Sequence, residues 1–110
     1  MEKYKGTIIE ASLADKSVLQ QLEVTRTYPL EDWQLYDVLI TEEQLDRLGQ
    51  YLNDGPWYMH FWKPGADEVV VVYKDKSFRI RYSDKATWAD AISHGKSRGI
   101  PEGQLDFLIH

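Results

Sequence analysis

The chain has 110 residues, 43% of them hydrophobic, and a formal net charge of −5 at pH 7. This length and composition predict a single globular domain over residues 1–110 and exclude a disordered polypeptide. The sequence has no cysteine, which excludes disulfides, thiolate nucleophiles and cysteine-ligated metal centres. Its negative charge argues against a nucleic-acid partner, because phosphate backbones are bound by basic surfaces.

Neither a signal peptide nor a membrane span is expected from the sequence. The opening residues, MEKYKGT, lack the apolar stretch of a signal peptide. The longest aliphatic run, residues 69–72, is much shorter than the about 20 apolar residues that cross a bilayer. We therefore expect a soluble cytoplasmic protein without a membrane partner.

Three strands are predicted in the first part of the chain. β-branched residues favour a strand over residues 4–11, and a third strand follows turn-forming residues at 33–40. Between them, residues 22–28 alternate in polarity, which predicts a strand with Val24 and Tyr28 on the same face.

A helix is predicted directly after the third strand. Thr41 is a favourable N-cap, and Gln44 three residues later completes a capping box. Leu45, Leu48 and Leu52 follow at helical spacing, so they form the buried stripe of this helix.

The second part repeats this order. Strands are predicted over residues 57–63, 68–73 and 78–82. A two-residue turn at 75–76 would join the last two and place six apolar residues on one face, in three facing pairs. The pairs are Tyr73 with Phe78, Val71 with Ile80, and Val69 with Tyr82.

A second helix is predicted over residues 85–98. Asp84 can cap its start, Gly99 suits the left-handed position after its end, and Pro101 prevents its continuation. The order strand-strand-strand-helix occurs twice along the chain, which predicts an α+β domain. We expect an antiparallel sheet of about five to six strands with two main helices packed on one face.

Several segments resemble a family of small bacterial and archaeal proteins with no assigned activity. They are KYKGTIIEASLADKSVL at the start, KSFRIRY in the last strand and HGKSRGIPEGQLDF at the end. The resemblance extends over nearly the whole chain and is weakest over residues 23–56. It supports the α+β prediction and implies no catalytic residues.

The aromatic strand has two different faces. Trp57, Met59 and Phe61 point one way, while Tyr58, His60 and Trp62 point the other. The second set needs a cover, because large apolar patches are unusual on a monomer. That cover is the chain end with Leu105 and Phe107, a homodimer or protein partner, or a small molecule.

Two arginines supply the candidate anion site. Arg79 and Arg81 lie two residues apart on one strand face and could together bind a carboxylate or phosphate. The alternative is that they pair with nearby Asp and Glu side chains. With Tyr58, His60 and Trp62 they complete the predicted set of binding residues.

Catalysis is not the favoured hypothesis. The three histidines lack metal-ligand spacing, so neither a metal nor another cofactor is predicted. Asp37 and His60 would form an orienting pair if the third and fourth strands were neighbours, but no nucleophile motif accompanies them. We expect a non-catalytic protein-binding or homo-oligomerising module. The alternative is an enzyme or small-ligand or anion-binding protein with a site around His60, Trp62, Arg79 and Arg81.

Overall fold

A computed structural model describes residues 3–53, 57–63, 65–101 and 105. The strands form one six-stranded sheet in which every neighbouring pair is antiparallel. They are β1 (Tyr4–Ile9), β2 (Glu23–Leu30), β3 (Trp33–Ile40), β4 (Met59–Trp62), β5 (Glu68–Val72) and β6 (Ser77–Arg81), and the helices are α1 (Glu42–Leu48) and α2 (Ala89–Ser97). The order across the sheet is β2-β3-β1-β4-β5-β6. The predicted α+β class, with its order of three strands and a helix given twice, is confirmed.

The sheet is packed on both of its faces. On one face, Leu45 and Leu48 of α1 join a core that contains Val70 and Val72. On the other face, Ala91 of α2 joins a second core with the alternate valines of β5 and with Trp88. The prediction that both helices pack on one face is therefore wrong. The run of valines in β5 explains the difference, because a strand covered on both sides has no polar face.

Local signals set the helix ends. Thr41 Oγ1 accepts a hydrogen bond from the Gln44 amide at 3.2 Å, and Gln44 Oε1 accepts one from the Thr41 amide at 2.9 Å, so the capping box is confirmed. Asp84 caps a 3-10 turn, Lys85–Trp88, that leads into α2. Gly99 has the left-handed conformation expected after the helix, with φ of 87°. No helix among the described residues has the length and apolarity needed to cross a membrane.

Two strand registers differ from the sequence prediction. In the β5–β6 hairpin, Val71 faces Phe78, and the Tyr73 amide donates to the Lys76 carbonyl, so the turn lies at residues 74–75. This two-residue shift leaves every side chain on its predicted face, because side chains alternate with a period of two. In β2, a bulge between Val24 and Arg26 interrupts the alternation and moves Val24 to the face opposite Tyr28.

Candidate functional site

The second face of the aromatic strand is mostly internal. Trp62 is 5% exposed and belongs to the core beneath α2, which also contains Leu105. Tyr58 and His60 are half-buried, and the three rings form a row with centroid separations of 6.3 Å and 5.7 Å. The helix and Leu105 therefore cover much of this face, while Phe107 lies outside the described residues.

Arg79 holds three parts of the fold together on the other face. Its Nη1 donates to Tyr4 Oη and to Glu68 Oε1, both at 3.1 Å, and its Nη2 lies 2.7 Å from Glu42 Oε1 of α1. Tyr4 also donates to Glu68 at 2.6 Å. Burial and that hydrogen bond raise the pKa of Tyr4. These contacts agree with the alternative that this arginine pairs with acidic side chains.

Arg81 is more exposed and has a weaker partner. Its Nε lies 3.6 Å from Asp67 Oδ2. The hydroxyl and amide of Ser83 both donate to Asp67, and these bonds lower the pKa of that carboxyl. Asp67 therefore remains a carboxylate that Arg81 can contact at ordinary pH.

The structure does not bring the five predicted binding residues together. Arg79 faces Val70 across β5–β6, and Val70 faces Phe61 across β4–β5. Arg79 therefore lies on the face of Phe61, whereas His60 and Trp62 lie on the face of α2. The five residues belong to opposite sides of the sheet, so they do not form one site.

Asp37 and His60 are not on adjacent strands, because β1 lies between β3 and β4. Asp37 instead organises a polar cluster with side chains of β1 and β2. Its Oδ1 accepts from Thr7 at 2.7 Å and from Tyr28 at 3.3 Å, and its Oδ2 lies 3.3 Å from Arg26 Nε. The orienting pair proposed from the sequence is therefore absent.

A concavity of about 490 Å³ opens beside this cluster. It lies over the part of the sheet that α2 leaves uncovered, and the Arg26 guanidinium stands 4.2 Å from the centre of the Tyr28 ring. Its lining consists of Lys5, Gly6, Thr7, Thr25, Arg26, Tyr28, Asp37 and Trp62. The sequence singles out Trp62 as a binding residue and Asp37 as a partner of His60, but it does not predict this site or its other residues. Its one sequence signal is the set of polar residues at alternate strand positions.

A further polar cluster fastens α2 to the β5–β6 turn. His94 Nε2 lies 3.0 Å from Asp75 Oδ1, and Arg98 Nη1 lies 3.3 Å from the same oxygen. The His94 ring also packs edge-on against Tyr73, with centroids 4.7 Å apart. The hydrogen bond from His94 lowers the pKa of Asp75. These contacts give His94 a role in packing.

Apolar exposure is concentrated at the β2–β3 turn. Among the described residues, the exposed large hydrophobic side chains are Leu30, 53% exposed, and Trp33, 41% exposed. They flank the turn residues Glu31 and Asp32, and the Trp33 ring meets Trp57 edge-on at 6.2 Å. We call Leu30, Trp33 and Trp57 the hairpin tip.

Within the described part of the chain, no group of three or more His, Asp or Glu side chains is arranged to hold a metal ion. No family model and no solved structure matches the chain. A stretch of 53 residues is 32% identical to the 1,4-alpha-glucan branching enzyme GlgB of Prochlorococcus marinus (strain MIT 9515). That stretch is 48% of this chain and 7% of the enzyme, so the chain spans a small fraction of the enzyme's length.

Proposed function

We propose that this protein is a non-catalytic module that self-associates through its hairpin tip. One observation carries the proposal: the two large hydrophobic side chains that are exposed among the described residues lie three positions apart on one turn. Burial of such apolar surface against a second surface removes it from water and so favours association. Tryptophan is also enriched among the residues that dominate binding energy.

A second copy of the chain is the partner that we infer. Two-fold dimers are the commonest oligomers, and a two-fold axis at the tip would bury Leu30 and Trp33 of both copies against each other. Glu31 and Asp32 would lie at the rim, where they remain solvated. The same residues limit the affinity, because like charges approach one another across the axis.

Backbone pairing along β2 is a weaker basis for dimer formation than contact between the side chains of the hairpin tip. β2 is an edge strand, and an edge strand offers unpaired amides and carbonyls to another strand. However, Pro29 has no amide hydrogen, and the bulge between Val24 and Arg26 distorts the strand. Both features are natural guards against edge pairing, so we expect a weak, concentration-dependent dimer formed by side chains.

Light scattering after size exclusion, across a concentration series, tests this proposal. The wild-type mass should rise toward that of a dimer as concentration increases, and a variant with both Leu30→Ser and Trp33→Ser should stay monomeric. Gln20→Ser, at another exposed position, is the matched control and should behave as the wild type. Thermal melts of all three proteins establish that they are folded. A wild type that is monomeric throughout, or a dimer that survives the double substitution, would overturn the proposal.

A further inference from the structure

The concavity beside Asp37 has an excess of positive charge. Its lining contains Lys5 and Arg26 but a single carboxylate, Asp37. The whole chain, by contrast, has a net charge of −5. A local cationic site on an acidic protein favours an anion, and an excess of one charge matches a monoanion.

Hydrogen-bond donors remain available in this site. Arg26 approaches Asp37 through Nε, which leaves the donors of its two terminal nitrogens for another acceptor. Lys5 is exposed and makes no ion pair with any described residue. Asp37 already accepts hydrogen bonds from Thr7 and Tyr28 and pairs with Arg26, so its oxygens are engaged by groups of the protein.

The site is also organised before any ligand arrives. Arg26 is held from one side by Asp37 and from another by the ring of Tyr28. Lys5 lies directly opposite Trp62 in the β1–β4 ladder, so the sheet fixes its backbone, while its exposed side chain remains free to move. The preorganised guanidinium of Arg26 reduces the entropy lost when a ligand binds.

We propose that this concavity binds a small organic monocarboxylate with a flat apolar body. The carboxylate lies between Lys5 and Arg26, and the apolar body lies mainly along the Tyr28 ring, because Trp62 lines the concavity but is only 5% exposed. The two cations discriminate against neutral molecules, while Asp37 disfavours anions of higher charge. This site uses neither Leu30 nor Trp33, so it is independent of the proposed self-association.

Calorimetric titration with three probes tests the inference. The probes are 2-naphthoate, its neutral counterpart 2-naphthamide, and inorganic phosphate, which has charge without an apolar body. We expect saturable binding of 2-naphthoate only. Equal binding of the amide would overturn the role of the cations. Tighter binding of phosphate would overturn the assignment to an organic monocarboxylate, and so would the absence of saturable binding.

Substitutions then locate the site. Lys5→Met and Arg26→Met should each weaken 2-naphthoate binding by about tenfold, since each removes charge-assisted hydrogen bonds. Arg81→Met, which removes an exposed arginine on the opposite face, is the matched control and should bind as the wild type. Equal losses in all three variants would overturn the assigned location. The Leu30→Ser and Trp33→Ser double variant should bind 2-naphthoate normally, so failure of self-association and failure of this site are distinguishable.

Discussion

β5 and β2 are both strands of one sheet, yet their environments are opposite. All four valines of β5 are buried, because α1 packs over one of its faces and α2 over the other. No residue of β2 is buried, and this strand forms an edge of the sheet. β1 and β3 also bury side chains, in the core beneath α1. The accessible groups in their half of the sheet lie along β2 and on the opposite face, where α2 does not cover them.

This division matters because stability and recognition have different requirements. When a side chain of a strand packed on both faces is shortened, the free energy of unfolding falls, because protein interiors are close-packed. An edge strand with solvated side chains tolerates change and can offer donors, charges and apolar groups to a partner. Both the hairpin tip and the concavity beside Asp37 lie mainly in the half from β1 to β3. Trp57 of the hairpin tip and Trp62 of the concavity come from the other half.

Truncating one aromatic side chain in each environment should give the largest contrast. Phe61 is fully buried, and its ring packs against the Gly6 backbone of β1. We expect Phe61→Ala to lower the free energy of unfolding by about 3–5 kcal/mol. Trp33→Ala, at the exposed turn, should cost less than about 1 kcal/mol, as surface substitutions usually do. Urea denaturation of both variants measures the difference, and equal costs would contradict the contrast between the two environments.

The packing of α2 against the sheet depends on the buried Gly95 of this helix. A methyl group on Gly95 would lie 2.5 Å from Leu105 Cδ2 and 2.7 Å from Tyr73 Oη. The leucine can rotate away, but the Tyr73 hydroxyl donates to the Ala91 carbonyl at 2.6 Å and is held in place. We expect Gly95→Ala to cost about 1–2 kcal/mol in thermal or urea unfolding, because overpacking outweighs the gain in helix propensity.

Two further variants make this test specific. Ser93→Ala, at an exposed position of the same helix, should be neutral or slightly stabilising. In a Tyr73→Phe background the clash with the hydroxyl is gone, so Gly95→Ala should cost less than it does in the wild type. An unchanged penalty in that background would assign the clash to Leu105 alone.

Features set by neighbouring residues could be predicted from the sequence. The capping box of Thr41 and Gln44, and the turn conformation of Gly99, depend on atoms a few residues apart. The faces of β5 and β6 were also predictable, because the parity of the valines survives the two-residue error in register. The fold class followed from these local signals.

Features set by strand order could not be predicted. β1 lies between β3 and β4, and this arrangement depends on pairings such as Thr7 with Asp37, thirty residues apart. Without that order, nothing in the sequence grouped Lys5 with Arg26. The split of the predicted site has the same origin, because the face of Arg79 relative to His60 depends on the β4–β5 register.

The smallest expected effect compares two carboxylates next to the sheet, Asp75 in the β5–β6 turn and Glu10 directly after β1. Asp75 has a lowered pKa because of its hydrogen bond from His94, and Glu10 has a lowered pKa because Tyr36 donates to it and Lys16 lies nearby. A carboxyl whose pKa is lower in the folded protein than in the unfolded chain stabilises the fold above its ordinary pKa. That contribution is lost as the pH falls through the folded value.

Both Asp75→Asn and Glu10→Gln should therefore lower the melting temperature slightly near neutral pH and flatten its decline between about pH 5 and pH 2. We expect the larger change for Asp75→Asn, because Asp75 joins the β5–β6 turn to α2, whereas Glu10 contacts Tyr36 of β3 and the exposed Lys16. Melting temperatures measured across this pH range compare the two variants with the wild type.

His94→Gln, which removes the imidazole donor, should reproduce most of the Asp75→Asn effect and add little to it in the double variant. Additive effects would mean that Asp75 is stabilised mainly by Arg98, and a larger effect for Glu10→Gln would reverse the comparison between the two carboxylates.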